Sequence, residues 1–244
     1  MTIRLDQAAV VRGLFTSRTK AASAIRAGKV YLDGKECRRP STQVREDQHI
    51  EAEAERWVSR AAYKLLGAIE ALDISIPSRI LDAGASTGGF TQVCLEYGAR
   101  EVYACDVGHG QLAPILRQDP RVHVREGLNI RSIDLSDLDG KPVDLVVADL
   151  SFISLRLVIE ALNRVVDEQG RVLLMVKPQF EVGRERLGAM GIVRDDGDRK
   201  EAIDEVIATA ERIGWRLLSQ VDASISGEYG NREHFVYFGL STGR

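Results

Sequence analysis

The run Arg79-Ile80-Leu81-Asp82-Ala83-Gly84-Ala85-Ser86-Thr87-Gly88-Gly89-Phe90 is the first place where residue types and spacing can do chemistry. A short apolar stretch ends in an acid, opens into a glycine-rich turn and then starts a helix. Glycines let backbone approach a ligand closely, and the free N–H groups of the helix start point at it. Gly84, Ala85, Ser86, Thr87, Gly88, Gly89 and Phe90, with Asp82 below them, therefore read as one wall of a nucleotide-like cofactor site. The spacing is not the dinucleotide pattern, because position 86 is serine. Asp106 and Asp149 also close predicted strands, so three carboxylates share one sheet edge with Asp82. Asp106, followed by Val107, can accept hydrogen bonds from ribose hydroxyls, a feature that leaves a dehydrogenase and a methyltransferase both open. Asn129, after the third strand, can meet an adenine or hold its loop.

The elements that must position these groups follow from periodicity. From Val58 onward buried strands alternate with helices, as in a doubly wound α/β sheet. Strands are predicted at 78–82, 101–105, 121–125, 143–149, 170–177, 215–223 and 232–240, with helices at 59–72, 88–97, 111–117, 154–167 and 198–213. The segment 180–197 has no period and is long for a loop, which marks it as functional or disordered.

The first part of the chain is different. Residues 1–45 hold ten Lys or Arg against three Asp or Glu, although the whole chain of 244 residues carries a net charge of −3. A basic module joined to an acidic body suggests that one part grips a polyanion. Helical spacing of Leu5, Ala8, Ala9 and Leu14, then of Ala21, Ala22 and Ile25, gives two short helices, the second capped by Ser17 or Thr19 and ended by Gly28. Lys29–Lys35 reads as a strand entering the Asp33-Gly34 turn, and Gln48–Glu51 as its companion. Arg4-Leu5-Asp6, Arg12-Gly13-Leu14, Ser17-Arg18-Thr19-Lys20-Ala21, Ile25-Arg26-Ala27-Gly28-Lys29-Val30 and Asp33-Gly34 resemble the S4 RNA-binding domain. The resemblance implies an α+β module in which Arg4, Arg18, Lys20, Arg26, Lys29 and Arg39, flanked by Arg38, bind RNA phosphates, contacts that orient more than they read sequence. Cys37, Cys94 and Cys105 lack paired spacing and fit reduced thiols better than zinc or disulfides. No 18-residue apolar run and no signal-peptide core are present, so a cytoplasmic location is expected, with no membrane partner.

The segment 58–244 resembles class I S-adenosylmethionine methyltransferases, and within them the FtsJ-like group, which methylates the ribose 2′-hydroxyl of RNA. With the basic module in front, the whole chain is similar to the TlyA family, often labelled hemolysin A. The matching motifs are Ser59-Arg60-Ala61-Ala62-Tyr63-Lys64-Leu65, Leu81–Phe90, Ala148-Asp149-Leu150-Ser151-Phe152-Ile153-Ser154, Val176-Lys177-Pro178-Gln179-Phe180-Glu181 and Asn231-Arg232-Glu233-His234. The resemblance implies a Rossmann-like, seven-stranded, mostly parallel sheet, S-adenosyl-L-methionine as cofactor, and ribosomal RNA as partner. It divides the chain into an S4-like domain at 1–52, a linker at 53–57 and a methyltransferase domain at 58–244. It further implies a cytidine acceptor in 23S rRNA and, for longer members, also in 16S rRNA; Asp6 lies so near the start that the short, 23S-only form is expected.

The same resemblance implies a catalytic set of Lys64, Asp149, Lys177 and Glu233, with Asp149 also touching the cofactor. Lys177 follows the apolar strand Val172–Val176 and emerges at the ligand edge. Glu233 reaches that edge only if the last strand runs antiparallel. Lys64 lies away from the core stripe of Val58, Ala62, Leu65, Leu66, Ile69 and Leu72, beside Arg60, Gly67, Ala68 and Ala71, whose small size would leave room for substrate. A 2′-hydroxyl needs a positioned base before it attacks a methyl carbon, and a lysine serves only when neutral. Lys177 is expected as base and Lys64 as stabiliser of the forming oxyanion, the two acids orienting them. Arg184, Arg186 and Arg194 put positive charge on the 180–197 loop. No Pro-Cys pair serves base C5 methylation, and Asp149-Leu150-Ser151-Phe152 is not the Pro-Pro turn of amino methylation. A non-catalytic RNA-binding assembly factor and, from the old label, a membrane-lysing protein are the alternatives, the second disfavoured by the absence of a spanning or cationic amphipathic segment.

Overall fold

The computed structural model describes residues 2–15, 17–53, 56–227 and 230–240. It divides into two compact units, Met1–Arg56 and Trp57–Arg244.

The smaller unit runs β1 (Thr2–Arg4), α1 (Leu5–Val11), α2 (Arg18–Arg26), β2 (Val30–Leu32), β3 (Lys35–Glu36), β4 (Gln43–Arg45) and β5 (Ile50–Ala52). Ser17 caps α2 by accepting from the Lys20 N–H at 3.3 Å. Asp33 and Gly34 both take positive φ and turn β2 back onto β3, the conformation a two-residue hairpin needs. More strands form than the sequence suggests: β2 pairs with both β3 and β5, and β1 pairs with β4 as a separate ribbon. Strands of two or three residues are too short for their alternation to register in sequence. Leu5, Ala8, Ile25, Val30, Val44 and Ile50 make the small core.

The larger unit runs α3 (Ala61–Leu72), β6 (Arg79–Ala83), α4 (Gly89–Glu96), β7 (Glu101–Asp106), α5 (Pro114–Arg117), β8 (Val122–Glu126), β9 (Val143–Ala148), α6 (Ile159–Asn163), β10 (Val166–Val176), α7 (Pro178–Glu181), α8 (Asp196–Arg212), β11 (Trp215–Asp222) and β12 (His234–Leu240). Seven strands make one sheet in the order β11-β12-β10-β9-β6-β7-β8. β12 pairs antiparallel with both of its neighbours, while β10, β9, β6, β7 and β8 pair in parallel. Successive residues alternate faces, as the pleat requires. Leu81, Tyr103, Val146, Val172 and Phe238 pack beneath α6 and α8. Ile80, Val102, Val147, Leu173 and Phe235 pack beneath α3 and α4. Both faces are covered, which explains the near-continuous apolar strands.

Two helices differ markedly from their predicted spans, and the segment predicted as a loop holds helical turns. The helix expected at 154–167 is a 3-10 turn at Leu155–Leu157 followed by a short α6, and β10 starts at Val166, with its pairing to β9 shifted between Val166 and Arg171. Gly170 permits that irregularity in a run whose apolar spacing also suits a helix. α5 begins only at Pro114, which occupies its first turn, the position proline tolerates. The 180–197 segment contains α7, 3-10 turns at Arg184–Arg186 and Ala189–Gly191, and the start of α8, capped by Asp195 on the Asp198 N–H.

Candidate active site

The reversed direction of β12 decides the site. Its first residue, His234, lies opposite Val176, the last residue of β10. Glu233 therefore arrives beside Lys177 at the edge where β6, β7 and β9 also end. Lys64 reaches this edge from α3, and its ammonium lies 2.5 Å from Glu233 Oε2, with side chains only 12 % and 4 % exposed. Lys177 Nζ donates to Ser151 Oγ at 2.7 Å and sits 2.6 Å from Asp149 Oδ1. That second contact is close but poorly aligned, so Asp149 Oδ1 is buried without a directed donor. The structure thus brings Lys64, Asp149, Lys177 and Glu233 together as two cation–carboxylate pairs.

One expectation about Lys64 needs correction. The small residues beside it do not leave open space, because a Cβ on Gly67 would fall 2.7 Å from Ser224, whose hydroxyl donates to the Tyr63 carbonyl. The chain's own Ser224 fills the space beside Gly67.

Two clefts of about 370 and 530 Å³ meet at Gly84, Ser86, Asp149 and Ser151, each within the usual range for small-molecule sites, roughly 300–1,000 Å³. The glycine turn separates them. Gly84 has φ +87°, and a Cβ there would lie 2.6 Å from the Asp149 carbonyl oxygen, so only glycine lets the two strand exits touch. Gly88, with φ +94°, starts α4. Ala85, Ser86, Thr87, Gly89 and Phe90 line the smaller cleft with Gly84. Ser86 is held at φ +47°, a strained value for a side chain, by its N–H donating to Asp106 Oδ2 at 2.8 Å. Asp106 Oδ1 accepts from the Gly108 N–H at 2.7 Å. Asp106, Val107 and Asn129 line the larger cleft, where Leu128, Ile130 and Ile153 add apolar surface. Asn129 Oδ1 caps a 3-10 turn through the Arg131 N–H.

Asp82 takes a different place from the expected one. β6 continues to Ala83, so Asp82 lies inside the strand, fully buried, and lines neither cleft. Its Oδ2 accepts from Thr91 Oγ1 at 2.6 Å, tying β6 to α4, while Oδ1 has no partner. Burial first, then the Asp149 and Asp106 carboxylates, push it up to about 7, against the Thr91 bond. Burial also pushes the Cys105 thiol up to about 12 and Cys94 well above its ordinary value, so neither is a ready nucleophile.

Several lining residues escaped the sequence reading. Ser59 and Arg60 face the glycine turn, and Ser59 Oγ is buried without a partner; their signal was their place in the motif leading to Lys64. A third cleft of about 440 Å³ joins Lys64, Lys177 and Glu233 to Phe152, Gln179, Phe180, Leu187, Met190 and Asn231. Phe152 is 91 % exposed with φ +64°, and its ring lies 5.1 Å from that of Phe180. A large exposed aromatic in the left-handed region is costly to hold and points to use. Asn231 accepts from the Val193 N–H and donates to the Gly191 carbonyl, fixing the loop over this cleft. Of the three loop arginines, Arg186 is tied to Asp198 and Glu201 on α8.

In the smaller unit Arg4 and Arg18 share the buried carboxylate of Asp6, which Arg4 foremost holds below its ordinary range. This pairing, unexpected from sequence, offsets part of their positive charge while both arginines stay exposed. Lys20, Arg26 and Arg39 are exposed and Lys29 half-buried. Arg38 pairs with Glu36.

A seven-stranded sheet with one reversed strand, a glycine turn after β6 and an acid closing β7 define a Rossmann-like methyltransferase. Residues 57–240 match the model of the FtsJ-like methyltransferases, and residues 3–50 that of the S4 domain. The chain belongs to the FtsJ-like methyltransferase family, in the TlyA group that carries an S4 domain in front. It is 45 % identical to the 16S/23S rRNA (cytidine-2′-O)-methyltransferase TlyA of Mycobacterium tuberculosis, over 99 % of this chain and 91 % of that one. It is 34 % identical to the 23S rRNA (cytidine-2′-O)-methyltransferase TlyA of Campylobacter jejuni, over 76 % and 72 %. A solved structure from Streptococcus thermophilus bearing the hemolysin name aligns over 99 % of this chain and 89 % of its own, with TM-score 0.77 and 36 % identity. No helix among the described residues is long and apolar enough to cross a membrane.

Proposed function

We propose that this methyltransferase moves a methyl group from S-adenosyl-L-methionine to the ribose 2′-oxygen of a cytidine in ribosomal RNA, in 23S and, in place of the 23S-only form expected from sequence, also in 16S, the pair named for its 45 % identical relative. The observation that carries the reading is the meeting of two lysine–carboxylate pairs where the three clefts join. The two clefts flanking the glycine turn suit the cofactor. Asp106 would take its ribose hydroxyls, Val107 and Asn129 its adenine, and the α4 start with Ser59 and Arg60 its amino-acid end. The unpartnered Ser59 Oγ is a polar atom that a bound polar molecule would satisfy. When bound, the cofactor supplies an electrophilic methyl on a sulfonium that departs as a neutral thioether.

The chain's own residues supply the rest. Lys177, having first lost one ammonium proton to solvent, would take the 2′-hydroxyl proton as a neutral amine, with Ser151 and Asp149 aiming its nitrogen. Lys64, fixed by Glu233, would stabilise the charge growing on the oxygen. The rings of Phe152 and Phe180 would flank the attached base. The first 52 residues would hold RNA through Lys20, Arg26, Lys29 and Arg39, with Arg4 and Arg18 contributing less because Asp6 occupies them. Residues 53–57 would link this part to the catalytic domain at 58–244, and work on ribosomal RNA would put the enzyme in the cytoplasm.

Mass mapping of 16S and 23S rRNA from a strain lacking the gene, with and without the purified enzyme, tests the reading. A cytidine in 23S and one in 16S should lose a 2′-O-methyl group in the strain and regain it in vitro. Lys177→Ala should remove turnover by at least about 10²-fold while cofactor still binds. Unchanged ribose methylation in the deletion strain refutes the proposal.

A further inference from the structure

The third cleft contains a hydrogen-bonding side chain that methyl transfer leaves idle. Among the described residues lining it, Lys64 is bonded to Glu233, Lys177 to Ser151, and both ends of the Asn231 amide are engaged. Gln179 differs. Its Oε1 is enclosed and meets no donor. Phe152, Phe180, Leu187 and Met190 give the same cleft its apolar walls. Buried carbonyls without a donor are rare and costly, and each calls for a missing partner.

We propose that Gln179 reads the base of the acceptor nucleotide, its carbonyl taking the 4-amino hydrogen of cytosine and its amide nitrogen giving to N3. The inference rests on the ribose-methylation reading and adds to it the residue that selects the base. Gln179 lies two positions after Lys177, across Pro178, which starts the single turn of α7. A ribose held at the two lysines carries its base toward the Phe152–Phe180 pair, and Gln179 lines that same cleft. A carboxamide offers an acceptor beside a donor, matching the adjacent amino group and N3 of cytosine. Uracil presents the reverse order, a donor N3–H beside a carbonyl, and does not match an amide set for cytosine.

The experiment measures methyl transfer to acceptor RNA carrying cytidine, uridine or a pyrimidinone riboside lacking the 4-amino group at the modified position. Wild-type enzyme should prefer cytidine over both by roughly tenfold or more, since a site built to bond a polar group rejects the analogue lacking it. Gln179→Met should lose activity on cytidine by a similar factor and bring the three substrates level. Its loss should not add to that from deleting the amino group, which separates base reading from general damage. Retained affinity for S-adenosylhomocysteine verifies that the variant folds, because Gln179 lines neither cofactor cleft. A Gln179→Met enzyme that keeps its cytidine preference overturns the inference while leaving ribose methylation intact. Wild-type enzyme that methylates no ribose removes the underlying reading instead.

Discussion

Lys64 and Glu233, 169 positions apart in the chain, meet at 2.5 Å in a nearly solvent-free contact. Neither belongs to the strands that form the glycine turn. One rides on the helix that covers the sheet, the other on the turn leading into the reversed strand. Removing one partner leaves the other buried and uncompensated, at a cost of about 3–5 kcal/mol. Glu233→Leu and Lys64→Met should each lower the urea midpoint markedly, whereas the double variant should recover most of the loss and stay inactive. Additive destabilisation in denaturant titrations would show that the contact is not a coupled pair.

Asp106 spends both oxygens on backbone N–H groups that shape the larger cleft. Asp106→Ala should therefore weaken cofactor binding by about 10–100-fold, the scale of lost hydrogen bonds to a charged group. Turnover at saturating cofactor should fall much less. Calorimetric titration beside steady-state kinetics checks the split, and a variant binding as tightly as wild type would contradict it.

Asp82 links stability to pH in an uncommon direction. The unfolded chain releases its proton near the ordinary carboxylate value of 3.8, the folded protein at about 7. Between those values the folded state binds more protons, so stability falls as pH rises, at up to about 1.4 kcal/mol per unit. The contribution is full below roughly pH 4 and gone above about 7. Asp82→Asn, neutral throughout, should gain on the parent between pH 5 and pH 8 in thermal melts. A constant difference would mean that Asp82 ionises at the same pH in both states.

Glu181, almost wholly buried, accepts from Ser154 Oγ at 2.5 Å and the Leu155 N–H at 2.8 Å. It fastens the Asp149–Ser154 loop to the turn after Lys177. Glu181→Ala should cost about 1–3 kcal/mol by leaving those donors unmet. It should also raise the KM for RNA more than that for cofactor. Equal effects on both constants would make Glu181 a purely structural anchor.

The parts readable from sequence were those governed by local periodicity. The apolar run Val172–Val176 ends where Lys177 must surface, and the glycine spacing marks the turn after β6. Asp82 misled because one further residue, Ala83, belongs to the strand, and a single step moves a carboxylate from rim to interior. The short helix α6 escaped because the apolar spacing of 154–167 suits either state and only pairing with β9 chose strand for Val166. Phe152, Gln179 and Ser59 stand in the matching motifs, yet their part in the site shows only through cavities, which depend on contacts distant in sequence. Asp6, taken as part of a basic motif, proved to be the buried anchor of Arg4 and Arg18.

β12 is the last strand in chain order and runs against both of its neighbours, so the carboxylate beside Lys64 reaches the edge only when that strand is docked. Fraying of this one strand would take Glu233 away from Lys64 while leaving the pairing of β6 with β7 and β9, and with it the glycine turn, in place.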